Sequence, residues 1–204
     1  KSFQMNTHAI GDAANRLVLE VYNQVLRTKE DPRWRIEHAQ LIAPEDFPRF
    51  NAKIIPSVQP IHAVSDMGWA IDRLGNERIK GAYAYKDLLD WSGIVALGTD
   101  FPVEDINPFK TFYAAVARKV PGDQSSKAFQ PRNYLSRYEA LLGLTRWAAY
   151  ANFEDNEKGS IEVGKFADFI ILDQDIMQVE IESIPHTRIV ATLLNGKIVF
   201  SNRL

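Results

Sequence analysis

The chain has 204 residues, a formal net charge of −2, 46% hydrophobic and 25% charged residues, which is the balance of a globular protein with one large domain, or one domain and a small appendage. Such a charge supplies no basic field for a phosphate backbone, and no run approaches eighteen uninterrupted apolar residues, so nucleic-acid binding and a membrane-spanning helix are both disfavoured. With no cysteine, disulfides, thiolate metal sites and cysteine nucleophiles are excluded.

Phe3 to Thr7 alternates apolar and polar residues and ends at His8, as a short strand does. Asp12 stands where an N-cap belongs for a helix over Ala13 to Arg27, with Leu17, Val18, Val21, Tyr22, Val25 and Leu26 on one stripe. Asp31-Pro32 breaks that helix, Trp34 to His38 reads as the next strand, and Pro44 opens a short helix. Lys53 to Val58 and Ile94 to Leu97 are a third and a fourth strand, separated by helical pieces around Ala63 to Leu74 and Lys86 to Trp91. Helices over Pro108 to Arg118 and Ser136 to Ala151 flank a polar stretch, Pro121 to Asn133, expected to be an exposed loop. Strands alternating with helices imply an α/β fold with a parallel sheet and right-handed crossovers. The tail differs: Phe169 to Leu172, Ile189 to Leu194 and Ile198 to Phe200 are β-branched runs, and Asn195-Gly196 between the last two suits a type I′ hairpin turn. A boundary near Asn156 to Gly159 therefore divides the chain into residues 1–158 and a small antiparallel element over 159–204.

Three positions share one layout, a ligand-type side chain at the C-terminal end of an expected strand: His8, His38 and Asp100. In parallel α/β architectures active sites gather at that rim. Two neutral imidazoles and a carboxylate suit a borderline divalent cation such as zinc, and a carboxylate beside a metal-bound water can take its proton. Taken singly, each residue also fits a hydrogen-bonded loop or turn; their joint placement is what points to a metal. His62, in Gln59-Pro60-Ile61-His62, follows the third strand and faces the same rim, either as a substrate contact or as a satisfied polar residue at a helix start. Arg78 and Tyr83 occupy the long insert before the fourth strand, where an Arg can clamp a carboxylate or lie solvated beside Glu77. Gln59, His62, Arg78 and Tyr83 are the candidate substrate contacts. Trp69, Trp91 and Trp147 are expected to pack helices and His186 to lie at the surface. Gly164-Lys165 and Gly196-Lys197 lack the glycine spacing of a phosphate loop.

The strings His8-Ala9-Ile10-Gly11-Asp12-Ala13-Ala14, Arg35-Ile36-Glu37-His38-Ala39-Gln40, Gln59-Pro60-Ile61-His62, Gly98-Thr99-Asp100-Phe101-Pro102-Val103 and Gly159-Ser160-Ile161-Glu162-Val163-Gly164-Lys165-Phe166-Ala167-Asp168 resemble, in that order, the amidohydrolase superfamily and within it the amidohydrolase 3, or YtcJ-like, group. The resemblance implies the C-terminal half of a (β/α)8 TIM-type barrel, strands five to eight, followed by part of a small β-sandwich. It makes His8 and His38 metal ligands ending strands five and six, places Gln59 to His62 after strand seven, and makes Asp100, ending strand eight, both ligand and general base. The family's His-x-His pair and its bridging carboxylate have no counterpart here, so the chain is expected to be a C-terminal fragment that binds metal weakly and turns over little by itself. The implied reaction is hydrolysis of amide or other C–N bonds of a small molecule by a metal-activated water, with zinc the expected ion. Ester or phosphoester hydrolysis on the same scaffold, and a non-catalytic α/β module, are the alternatives. Half a barrel exposes two sheet edges, so a homo-oligomer, or pairing with the missing N-terminal half, is expected. Localisation is left open: the first residues, Lys1-Ser2-Phe3-Gln4, are neither a signal peptide nor a natural initiator.

Overall fold

The structure, a computed structural model, describes residues 3–123 and 125–202. Lys1, Ser2, Gln124, Arg203 and Leu204, which fall within the expected domain ranges and loop, lie outside the described residues. Four strands, β1 (Asn6–Ala9), β2 (Trp34–His38), β3 (Ile54–Val58) and β4 (Ala96–Leu97), form a parallel sheet in the order β1-β2-β3-β4. Each strand pairs with its successor in sequence and the order never reverses, so the sheet is wound in one direction, as in a barrel, and not doubly wound. Registers such as His8 opposite Glu37 and Ser57 opposite Ala96 carry the sheet from one strand to the next.

One face of the sheet lies under helices. Ala9, Ile36, Ile54, Val58 and Leu97 share a core with Leu19, Tyr22 and Leu26 from the first helical segment, Leu88 from α4 (Tyr85–Ser92) and Phe112 from α5 (Pro108–Ala117). The alternate residues turn the other way. Ile55 and Ala96 on that second face meet Ala151 of α7 (Arg146–Ala151), whereas Asn6 and His8 at the β1 edge are exposed.

Several elements differ from the sequence reading. The first strand begins at Asn6, not Phe3, so His8 lies inside it. Helix α1 spans Asp12–Val25 with Gly11 at the N-cap and Asp12 already helical. Its buried face is Asn15, Leu19 and Tyr22, continued by Leu26, while Leu17, Val21 and Val25 are exposed. Asn15 belongs inside because its amide donates to the carbonyls of Ala9, Gly11 and Leu41, at 3.2, 3.0 and 3.1 Å, and so fastens β1 to the segment after β2. The region between β3 and β4 is broken into α2 (Pro60–Ser65) and α3 (Ala70–Arg78) before α4. The stretch after α5 is not wholly exposed: Asn133 is buried and its Oδ1 accepts the backbone N–H groups of Lys86 and Asp87, capping α4 from outside. The expected helix over Ser136 to Ala151 splits at Thr145 into α6 (Arg137–Leu144) and α7, and Ser136 with Glu139 forms a reciprocal cap at its start. Trp69 and Trp91 are half exposed, and only Trp147 of the three packs against the core.

The tail forms an antiparallel sheet, β5 (Phe169–Leu172), β6 (Ile189–Leu194) and β7 (Lys197–Ser201), in the order β5-β6-β7. Asn195 and Gly196 both have positive φ, 48° and 75°, as the type I′ reading requires. Between β5 and β6 the 3-10 turn Ile181–His186 returns to α5: Ile184 is fully buried in the main core, and the Tyr113 hydroxyl donates to Glu182 at 2.6 Å. His186 is at the surface, as expected.

Candidate functional site

His38, His62 and Asp100 stand where parallel strands give way to the segments that follow them. His38 ends β2, and there the backbone turns left-handed at two successive residues, His38 (φ 71°) and Ala39 (φ 41°). Asp100, three residues beyond β4, is left-handed too (φ 59°). Non-glycine residues held in that region cost on the order of 1 kcal/mol or more, and such conformations gather where geometry serves function. His62 is set by Pro60, the first helical residue of α2, which fixes where the ring leaves the turn.

These turns bring the side chains together. His38, His62 and Asp100 each present one ligand atom, and the three atoms lie within 4.8 Å of one another. His62 Nε2 is 3.2 Å from Asp100 Oδ2, and the His38 and His62 ring centroids are 5.8 Å apart. His8 packs edge-on against His38, with centroids 4.5 Å apart, but stands outside that three-donor group. Burial, reinforced by the neighbouring His8 ring, pushes His38 below the ordinary histidine range, while Asp100 and Gln59 pull it the other way. The net effect favours the neutral imidazole, the form that offers a lone pair.

His38 Nδ1 and Gln59 Oε1 are buried without a hydrogen-bond partner among the described residues. Buried polar atoms are seldom left unpaired, so a missing partner of complementary charge fits here. Two imidazoles and a carboxylate converging on one point suit a divalent cation of the zinc type.

The other candidates are differently engaged. Gln59 is buried beside His38, its amide donating to Ser57 O at 3.4 Å. Tyr83 is buried, and its hydroxyl accepts from Gln40 at 3.0 Å and donates to Asp66 at 2.7 Å; burial and Asp66 push its ionisation far up, so it stays a neutral phenol. Arg78 pairs with Asp12, at 3.0 Å from Nε and 2.9 Å from Nη2, and not with Glu77, which is taken by Lys80. One functional-looking residue escaped the sequence reading. Glu104, four residues past Asp100, accepts from or shares a proton with His62 Nδ1 at 2.9 Å, and only the Asp-x-x-x-Glu spacing hinted at it.

The fold is that of an α/β protein with imidazoles and a carboxylate gathered at one rim of a singly wound parallel sheet. The family model described as Amidohydrolase family matches residues 1–200, and the chain belongs to that family. It is 38% identical over 201 residues to Protein LONG AFTER FAR-RED 3 of Arabidopsis thaliana, covering 97% of this chain and 34% of the relative. It is 32% identical over 201 residues to YtcJ of Bacillus subtilis (strain 168), whose name places it among amidohydrolases, covering 98% of this chain and 38% of that one. A crystal structure of an uncharacterized metal-dependent hydrolase from Pyrococcus furiosus superposes with a TM-score of 0.73 at 32% identity, covering 86% of this chain and 34% of that chain. The chain thus spans about a third of the length of the curated relatives it matches.

Proposed function

We propose that this chain supplies strands five to eight of a (β/α)8 barrel, with residues 1–158 as the barrel portion and 159–204 as part of a β-sandwich, in a hydrolase that opens amide or other C–N bonds of a small molecule. The observation that carries this reading is the convergence of His38, His62 and Asp100 within 4.8 Å at the C-terminal rim of the parallel sheet. His8, His38 and Asp100 would hold a divalent metal, with zinc the best match to two nitrogens and one carboxylate. The ion would supply a water acidified toward neutrality and polarise the bond to be cleaved. Asp100 would take the proton from the attacking water and later return it to the leaving nitrogen. Gln59 and His62, at the same rim, orient the carbonyl group, and Arg78 and Tyr83 bound the substrate side from the insert between β3 and β4. Further metal ligands come from the two thirds of the relatives that this stretch does not cover, so the isolated chain binds metal weakly and turns over little.

Metal content and substrate range test this together. Zinc measured by atomic absorption in the protein carrying both this chain and the remainder of its relatives' length is expected near one ion or more, and His38→Ala should reduce it at least tenfold. Unchanged stoichiometry would remove His38 from the site. A panel of amides, esters and phosphoesters should show turnover of the amides; turnover of the phosphoesters alone would overturn the C–N assignment, and none with undiminished folding would favour a non-catalytic module.

A further inference from the structure

From the geometry we infer that Glu104 holds His62 as a donor to the cation, so that His62 is a metal ligand and Glu104 its positioning residue. This rests on the metal-centre reading above and revises one part of it: His62, there a substrate contact, becomes a ligand beside His38 and Asp100, with Glu104 as its support.

The argument begins with the two nitrogens of one ring. His62 is buried, and its Nδ1 lies 2.9 Å from Glu104 Oε1, whose side chain is only 16% exposed. A carboxylate accepts and does not donate, so the proton of that hydrogen bond sits on Nδ1. In the neutral ring Nε2 then carries the lone pair. That lone pair faces Asp100 Oδ2 at 3.2 Å. A cation held between the two atoms would take both of them, in place of the proton that otherwise joins them. His38 adds a third donor to the same point.

The spacing fits the same conclusion. Tetrahedral zinc keeps its nitrogen and oxygen ligands at roughly 2.0–2.1 Å, which sets neighbouring ligand atoms about 3.3 Å apart. The 3.2 Å between His62 Nε2 and Asp100 Oδ2 is close to that edge. A carboxylate on the far nitrogen of a ligating histidine is the usual way to fix its tautomer and ring plane. His8 packs edge-on against His38 and stands outside the three-donor group, whereas the carboxylate-backed ring of His62 belongs to it.

Cobalt(II) substitution reads the ligand set directly. In the cobalt-loaded full-length protein, His62→Ala should shift and weaken the visible absorption band as water replaces an imidazole. Glu104→Ala should lower cobalt affinity about 10–100-fold in competition with a chromophoric chelator, with Glu104→Gln, which still accepts from Nδ1, recovering most of the loss. Far-ultraviolet circular dichroism of each variant checks that it folds. Unchanged spectra and affinity in His62→Ala and Glu104→Ala, beside lost binding in His38→Ala, would overturn the assignment of His62 while leaving the metal centre standing. Unchanged binding in His38→Ala and Asp100→Ala as well would overturn the metal centre itself.

Discussion

Glu139 shows how one carboxylate can tie the site-bearing half of the fold to its neighbours and carry a pH signature. Lys86 Nζ and the Ser136 backbone N–H each lie 2.7 Å from its oxygens. Partial burial pushes its carboxyl up, but those hydrogen bonds prevail and hold it below its ordinary value of 4.5. A carboxyl lowered in the folded state binds fewer protons there than in the unfolded chain, so its contribution is complete above about pH 4.5 and fades as the pH falls through the lowered value. Glu139→Gln should therefore cost stability near neutrality and flatten the acid limb, measured by urea unfolding from about pH 7 to about pH 3. A loss of equal size at both ends would show that the charge is not the source. His38, His62 and Asp100 were legible at this scale as rim residues, because such side chains following apolar runs stand out one at a time, whereas the separation of His8 from their group was not. Glu104 and Gln59's orphaned oxygen were not, since a partner 42 residues away meets His62 only through the fold. The left-handed turns at His38 and Asp100 were equally hidden, because neither residue type demands positive φ.

Among the elements, the strands after the first and the tail hairpin were readable from period and turn chemistry, whereas the facing of α1 was not. Six apolar residues on that helix span too wide an arc to be buried together, and the choice among them was settled by Asn15, whose amide ties the turn carbonyls and brings Leu19 and Tyr22 inside. Leu17, Val21 and Val25 are left facing out. The contact of the segment after β2 with the 3-10 turn Ile79–Gly81, just past α3, is as selective. Ile42 N–H donates to Gly81 O at 2.9 Å, and a β-carbon on Gly81 would fall 2.0 Å from Ile42 O. Gly81→Ala is expected to cost about 1–3 kcal/mol in thermal or urea unfolding, because backbone and not a pliable side chain must give way. An unchanged midpoint would mean that the two segments part easily, and that the approach is looser than its geometry suggests.

On the scale of the molecule, four parallel strands leave an edge at β1, and α1 beside it displays Leu17, Val21 and Val25 to solvent, with Phe3 72% exposed nearby. Apolar surface continues on another side in a groove of about 990 Å³ between α6, α7 and β5, lined by Leu141, Leu144, Phe169 and Leu172. Exposed stripes of this kind seek cover. We propose self-association of this chain through the β1 and α1 side when nothing else is supplied. Light scattering at micromolar concentration should give a mass above the 23.2 kDa of one chain, and Leu17→Glu with Val21→Glu should return it to that mass. A single-chain mass for the unaltered protein would sink the idea. The coarse architecture, a parallel sheet followed by an antiparallel one, was plain from strand spacing; how the tail grips the rest was not, because Ile184 sits in a turn with no periodic pattern.

That grip has a mechanical consequence. Ile161 and Val163 protrude almost wholly into solvent ahead of β5, so a protease has easy purchase on the polypeptide there. Severing the backbone at that point would not set the downstream piece adrift, since Ile184 is enclosed beneath α5 and Tyr113 clasps Glu182. A nicked molecule would hold its shape as two interlocked pieces, and the loop from Asp100 to Asn107 that feeds into α5 would keep its footing.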